Sequence, residues 1–151
     1  SGNGLGHIAN WRLNQSDAEG HPLRQKANNW RNKQSSTKQN DLPSLASQAA
    51  YGGDPIMKEV LDIWLSAYGS AIGDLALQEL CTAGLWIAGG TAAKHQTGLR
   101  SRAFLEAMRN KGRFKRFIEK MPVVAVIDQE SGLFGAACRA SMLAKSDGKL
   151  S

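Results

Sequence analysis

The residues best suited to meet a ligand are Gly84-Leu85-Trp86-Ile87-Ala88-Gly89-Gly90-Thr91, a short apolar run ending in a diglycine. A buried strand that stops at two glycines leaves bare backbone, so a flat or charged ligand can come close. Open α/β sheets bind ligands at the carboxyl ends of their strands. The competing reading is a plain turn after a strand. A second glycine cluster opens the chain: Gly2, Gly4 and Gly6 precede Ile8, Ala9 and Trp11. It reads as a glycine-rich loop running into a helix, and with no strand before it, it is a poor dinucleotide fingerprint. Other chemistries find little support. The chain has no G-x-x-x-x-G-K-[ST] phosphate loop and no G-x-S-x-G nucleophile elbow. His7, His21 and His95 lie far apart and show no ligand spacing with Cys81 or Cys138, so a zinc site is not expected. The two cysteines sit in apolar, helix-like settings and read as buried thiols in a reducing cytosol.

These residues need elements to position them. Asp54 at an N-cap and Pro55 at a first helical position start a long helix. Its apolar stripe is predicted at Met57, Val60, Leu61, Trp64, Leu65, Tyr68, Ile72, Leu75 and Leu80. Gly69 and Gly73 lie four apart on it and predict close approach of another backbone. A shorter helix precedes it, from Leu42-Pro43 to Ala50, stopped by Gly52-Gly53. After the strand Leu85–Ala88 come a turn or short helix through His95, a helix from Ser101 to Asn110 and another over Arg113 to Glu119. Pro122 opens a second strand, Val123–Ile127, Asp128 to Ser131 form a turn, and Gly132 to Ala144 read as a final helix. Strand–helix–strand implies two parallel strands joined by a right-handed crossover. The stretch from Asn14 to Asp41 is polar, with Leu23 and Trp30 its large apolar residues. It predicts a long surface connection with at most a loose helical turn, pinned by Trp30.

At 151 residues the chain suffices for one domain with a core, and its 42% hydrophobic share argues against disorder. The longest uninterrupted apolar run, Val123 to Ile127, is strand-sized and far below a membrane span. The first residues, Ser1-Gly2-Asn3-Gly4, lack an initiator methionine and any secretory pattern, so a piece of something larger or a processed product is expected. The net charge of +6 is concentrated between Lys94 and Lys120, where nine basic residues face only Glu106 and Glu119. Such a cluster attracts phosphates or polyanions, or simply covers a solvated helix face. Phe104, Phe114 and Phe117 within it fit a buried helix face.

Four stretches together resemble the C-terminal part of the bacterial-type glucokinases of the actin/hexokinase superfamily. They are Ser1-Gly2-Asn3-Gly4-Leu5; Tyr68 through Leu80; Gly84 through Thr91, which looks like the superfamily's adenosine motif; and Lys111-Gly112-Arg113-Phe114, followed by Pro122-Val123 and Ser131-Gly132-Leu133-Phe134-Gly135. The departure is the polar stretch at about 14–41, which reads as an insertion or linker. The resemblance implies an α/β class: a helix-rich fragment of a ribonuclease H-like, actin-like ATPase large domain with a small parallel sheet. It implies that Gly89 and Gly90 border the adenine and ribose of ATP, with Thr91 beside them. Ser1, Gly2 and Gly4 would lie near the interdomain cleft. Arg113 and Asp128 take no role from it: Arg113 reads as a surface charge or fold salt bridge, Asp128 as a turn and cap residue.

The resemblance also says what is missing. Sugar phosphorylation needs a carboxylate to take the proton from the attacking hydroxyl, and a Mg²⁺-bound triphosphate held in line. The chain contains no D-x-G-x-T loop and no E-x-G-H sugar motif. No catalytic residue and no metal ligand is therefore assigned here. The parent is expected to be a cytoplasmic, glycolytic glucokinase acting on glucose and ATP, with Mg²⁺ held mainly by upstream residues, and this piece alone to be inactive. Loss of the rest of the sheet leaves an unpaired strand edge that invites a homodimer. No membrane association is expected. Two other readings compete: a nucleic-acid-binding module on Lys94–Lys120, disfavoured because no nucleic-acid fold motif accompanies the charge, and a structural or regulatory fragment without ligand that folds by association.

Overall fold

A computed structural model describes residues 2–31 and 41–146. Helices α1 (Gly2–Leu13), α2 (Arg24–Arg31), α3 (Leu42–Tyr51) and α4 (Pro55–Gln78) come first. Strand β1 (Leu85–Ile87) follows, then α5 (Gly90–Lys94), α6 (Gln96–Leu99), α7 (Arg102–Arg109) and α8 (Lys115–Lys120). Strand β2 (Val123–Ala125) and α9 (Ser131–Ser146) close the described chain. The two strands pair in parallel, with Leu85 opposite Val123, Trp86 opposite Val124 and Ile87 opposite Ala125. The result is a helix-rich α/β arrangement with a two-stranded parallel sheet. Both strands stop short of the predicted ends, although the Val126 N–H still donates to the Ile87 carbonyl at 2.8 Å.

Helix α4 organises the core. Its start is as predicted: the Asp54 side chain accepts from the Met57 N–H at 2.9 Å, and Pro55 occupies the first turn. Met57, Val60, Leu61, Trp64 and Leu65 are buried against α1 and α3. Beyond Leu65 the buried face passes to Gly69, Gly73 and Ala76. Leu75 and Leu80 are exposed, contrary to the predicted stripe. Leu75 points away from the face carrying the small residues, and Leu80 lies past the helix end with a φ of 46°. The small residues let α7 come in close, as the glycine spacing predicted. A methyl group at Gly69 would collide with the Phe104 carbonyl oxygen, and one at Gly73 with that of Met108. Lys111 locks the pair by donating to the Ser70 carbonyl at 3.0 Å and to Asp74 at 2.6 Å. An 18-residue stretch of α4 has a mean hydropathy of 1.2, apolar enough for a membrane span by composition. Here that apolarity serves the packing against α1, α3 and α7.

Four further expectations are corrected. Of the stretch from Asn14 to Asp41, residues 32–40 lie outside the described residues, and 14–31 are not a bare connection: they hold a 3₁₀ turn at Ser16–Ala18 and the two-turn α2. Ala27 of α2 is fully buried, and the Asn10 side-chain amide donates to its carbonyl at 2.8 Å. Trp30 does pin the segment, its ring lying edge-on to His7 at 5.1 Å and against Gly6. The amino-terminal glycines form no loop, because α1 already begins at Gly2. Gly6 is small to make room for Trp30, since a Cβ there would sit 2.6 Å from its ring. Finally, Cys81 and Cys138 are free but half-buried, not buried, and Phe114 is exposed beneath the Arg113 guanidinium, 5.0 Å from its ring centre.

Candidate functional site

A cleft of about 340 Å³ lies where three chain segments meet. The start of α1 contributes Gly2 and Asn3, the first turns of α3 contribute Asp41, Ser44 and Ser47, and α5 contributes Gly90, Thr91 and Lys94. His95 follows α5 and completes the wall. Two residue groups singled out from distant parts of the sequence, Gly2 and Gly90-Thr91, thus line one cavity.

The other two candidates stand outside the lining for definable reasons. Gly89 has φ 97° and ψ 175°, a conformation that only glycine adopts freely, and it turns the chain from β1 into α5. Gly4 faces Trp64 instead, and a Cβ there would make ordinary contact with the indole nitrogen at 3.7 Å. Ser1 lies outside the described residues. Gly90 differs from Gly89. Its φ is not positive, and nothing stands within 4 Å of where its Cβ would be. Neither backbone conformation nor packing accounts for this glycine. Its effect is to keep the cleft wall open at the first turn of α5.

The α3 residues were not legible in the sequence. The sequence predicts a short helix from Leu42-Pro43 to Ala50, and no motif marks Asp41, Ser44 or Ser47. His95 takes no role from the sequence. It is 8% exposed, with its Nδ1 3.2 Å from the Tyr51 hydroxyl and its ring 5.0 Å from that of Trp64. Burial pushes its pKa below the ordinary histidine value, and the neighbouring Lys94 charge adds to the effect. The imidazole is therefore held neutral. Among the lining residues the charges are then the Asp41 carboxylate and the Lys94 ammonium. Such a wall offers hydroxyls, one anion and one cation: it binds and orients, and it lacks a nucleophile paired with a base. Among the described residues no three His, Cys, Asp or Glu side chains come together to hold a metal ion.

Asp128 behaves as a turn residue, its carboxylate accepting from the Glu130 N–H at 2.9 Å. Arg113 makes no ion pair among the described residues; it rests on Phe114. The basic segment is divided among α5, α7 and α8, and part of its charge is engaged by the fold. Lys111 pairs with Asp74, Arg102 with Glu106 and Lys115 with Glu119.

Comparison with known proteins gives this geometry a family. The glucokinase family model matches residues 1–143. A glucokinase of Synechocystis sp. is 38% identical over 108 residues, covering 71% of this chain and 30% of that protein. A glucokinase of Nostoc sp. is 35% identical over 100 residues, covering 66% and 29%. One of Xanthomonas euvesicatoria is 31% identical over 98 residues, covering 65% and 29%. No solved structure matches the chain significantly. The chain spans about three-tenths of the length of the curated relatives it matches. By family match and by identity, the chain belongs to the glucokinase family, as a C-terminal portion of a bacterial-type member.

Proposed function

We propose that this chain is the nucleotide-side part of a glucokinase, an enzyme that transfers the terminal phosphoryl group of ATP to glucose and yields glucose 6-phosphate and ADP. The observation that carries the reading is Gly90: a glycine without a conformational or packing reason, in a cleft that also gathers Gly2, Thr91 and Lys94. In this reading Gly89 sets the turn, and Gly90 and Thr91 border the adenosine of ATP. Lys94 supplies positive charge toward the phosphates. Gly2 borders the same cleft, and Gly4 lies beside Trp64 outside its lining. The residues fit one end of a nucleotide and do not build a metal centre, so the Mg²⁺ of MgATP is held mainly by residues upstream. The base that takes the proton of the attacking hydroxyl lies there too. The architecture is then part of an actin-like ATPase large domain, with the polar segment at about 14–41 as an insertion, in a cytoplasmic enzyme of glycolysis.

The deciding experiment is glucose phosphorylation with MgATP, by this chain alone and by this chain mixed with the upstream part of the enzyme. Activity only on mixing supports the reading. Activity of the chain alone would place catalytic residues here and overturn the assignment. Absence of activity in a folded, associated mixture would leave a structural fragment that folds by association. That second reading has its own observation, the apolar surface around Trp86 and Phe134.

A further inference from the structure

Asp41, on the α3 side of the cleft, has a carboxylate that no hydrogen bond or ion pair engages among the described residues. It occupies the N-cap position of α3, where an aspartate ordinarily accepts a hydrogen bond from an amide of the first turn. Here the side chain makes no such bond. No ion pair engages it among the described residues. It is exposed and lines the same cavity as Gly90 and Thr91. A carboxylate has two acceptor oxygens and no proton to give, so a ligand at this wall must bring donors.

The neighbouring hydroxyls narrow the choice. Ser47 donates to the Ser44 carbonyl at 3.0 Å, and the Ser44 hydroxyl accepts from the Gln48 side chain at 3.4 Å. The Ser44 proton remains available to a ligand oxygen. Lys94 brings a cation to the same cavity. The wall therefore asks for a molecule with adjacent hydroxyl donors at one end and an anion at the other. A vicinal diol with an anion is offered by a nucleotide and by a hexose phosphate, and the open backbone at Gly90 beside Thr91, in the same lining, leaves room for the flat base that only the nucleotide brings. We propose that Asp41 reads the ribose of the bound nucleotide, the 2′- and 3′-hydroxyls each donating to one carboxylate oxygen, with Ser44 as a second contact. The inference rests on the nucleotide reading above and adds a specificity residue to it.

The test is a shift titration of the ¹⁵N-labelled chain by ATP, 2′-deoxy-ATP, 3′-deoxy-ATP and glucose, repeated on Asp41→Ala and Asp41→Asn. Because the side chain caps nothing, Asp41→Ala should keep the spectrum of the folded chain, and the isosteric Asp41→Asn serves if it does not. Removing either hydroxyl should weaken binding to the parent chain roughly 5- to 10-fold, the loss of one charge-assisted hydrogen bond at an exposed site. In Asp41→Ala the three nucleotides should bind within about twofold of one another. Equal affinities in the parent chain would overturn the role of Asp41 and leave the nucleotide reading standing. So would discrimination that survives in the variants. Shifts at Asp41 with glucose would move the diol to a hexose and overturn the ribose assignment. No ATP-dependent shift at Gly90 and Thr91 would remove the nucleotide reading and this inference with it.

Discussion

Gly89 and Gly90 are adjacent and chemically identical, yet the structure gives them opposite reasons to be glycine. Gly89 sits at φ 97°, where a side chain is strained. Gly90 has open space and a conformation any residue takes. Their alanine variants should therefore separate. Gly89→Ala should lose stability, by about 1–3 kcal/mol for the forced backbone conformation. Gly90→Ala replaces a glycine in the first turn of a helix and should leave the unfolding midpoint unchanged or raise it by up to about 1 kcal/mol equivalent. Its cost should fall on nucleotide contact, because Gly90 lines the cleft and no protein atom stands within 4 Å of the added methyl group. Thermal or urea unfolding of both variants, paired with an ATP titration, makes the comparison. If Gly90→Ala binds ATP as the parent does, the open wall at α5 is not a ligand contact. The sequence signalled this pair through the diglycine. It carried no sign that Asp41 and Ser44 would stand across from it, because that encounter depends on how α3 packs against α1 and α4.

At the scale of elements, α4 and α7 show why spacing was readable where it was. Two glycines four apart on a long helix have a local cost, and their only return is close approach, so the contact could be inferred before its partner was known. The partner proves to be α7, whose Phe104 and Met108 carbonyls lie over Gly69 and Gly73. Since the obstructing atoms are backbone, they yield only if α7 moves as a unit. Gly69→Ala and Gly73→Ala should each destabilise by about 1–3 kcal/mol, despite the better helix propensity of alanine. A surface control, such as Ala71→Gly on the exposed face of α4, should cost only about 1 kcal/mol, for propensity alone. Urea midpoints would decide it, and a stabilised Gly69→Ala would mean that α7 packs less closely than described. The α2 region was illegible for the converse reason. Its helix has few apolar residues, so no periodicity announces it, and its order comes from Trp30 against Gly6 and from Asn10 capturing the Ala27 carbonyl. Those contacts are tertiary and leave no local pattern. The ends of β1 and β2 were overestimated for a similar reason, since a two-stranded ladder stops where its partner stops.

For the whole molecule, the weight of apolar residues on the surface is the main physical fact. Parallel sheets are ordinarily covered on both faces. Here the alternation buries Leu85 and Ile87 and turns the cross-strand pair Trp86 and Val124 outward, with Trp86 69% exposed. Helix α9 carries Leu133, Phe134 and Met142 on its exposed surface, and it makes only slight contact with any other element. Exposed apolar patches of this kind associate, with themselves if no other surface is offered. The chain alone should therefore self-associate, and sedimentation at increasing concentration should show a shift from monomer to dimer or larger species. Phe134→Glu and Trp86→Lys should move it back toward monomer with little change in the urea midpoint, since neither side chain belongs to the core. The upstream part of the enzyme should compete with self-association, because in the proposed enzyme it would cover the same apolar surface. A chain that stays monomeric at roughly 100 μM, far above the range where stable interfaces assemble, would show that this surface is tolerated in water as it stands. The homodimer expected from the open strand edge would then have no driving force. If the variants remain associated, the contact runs through another face, and the two strands and α9 would not be where the rest of the glucokinase docks.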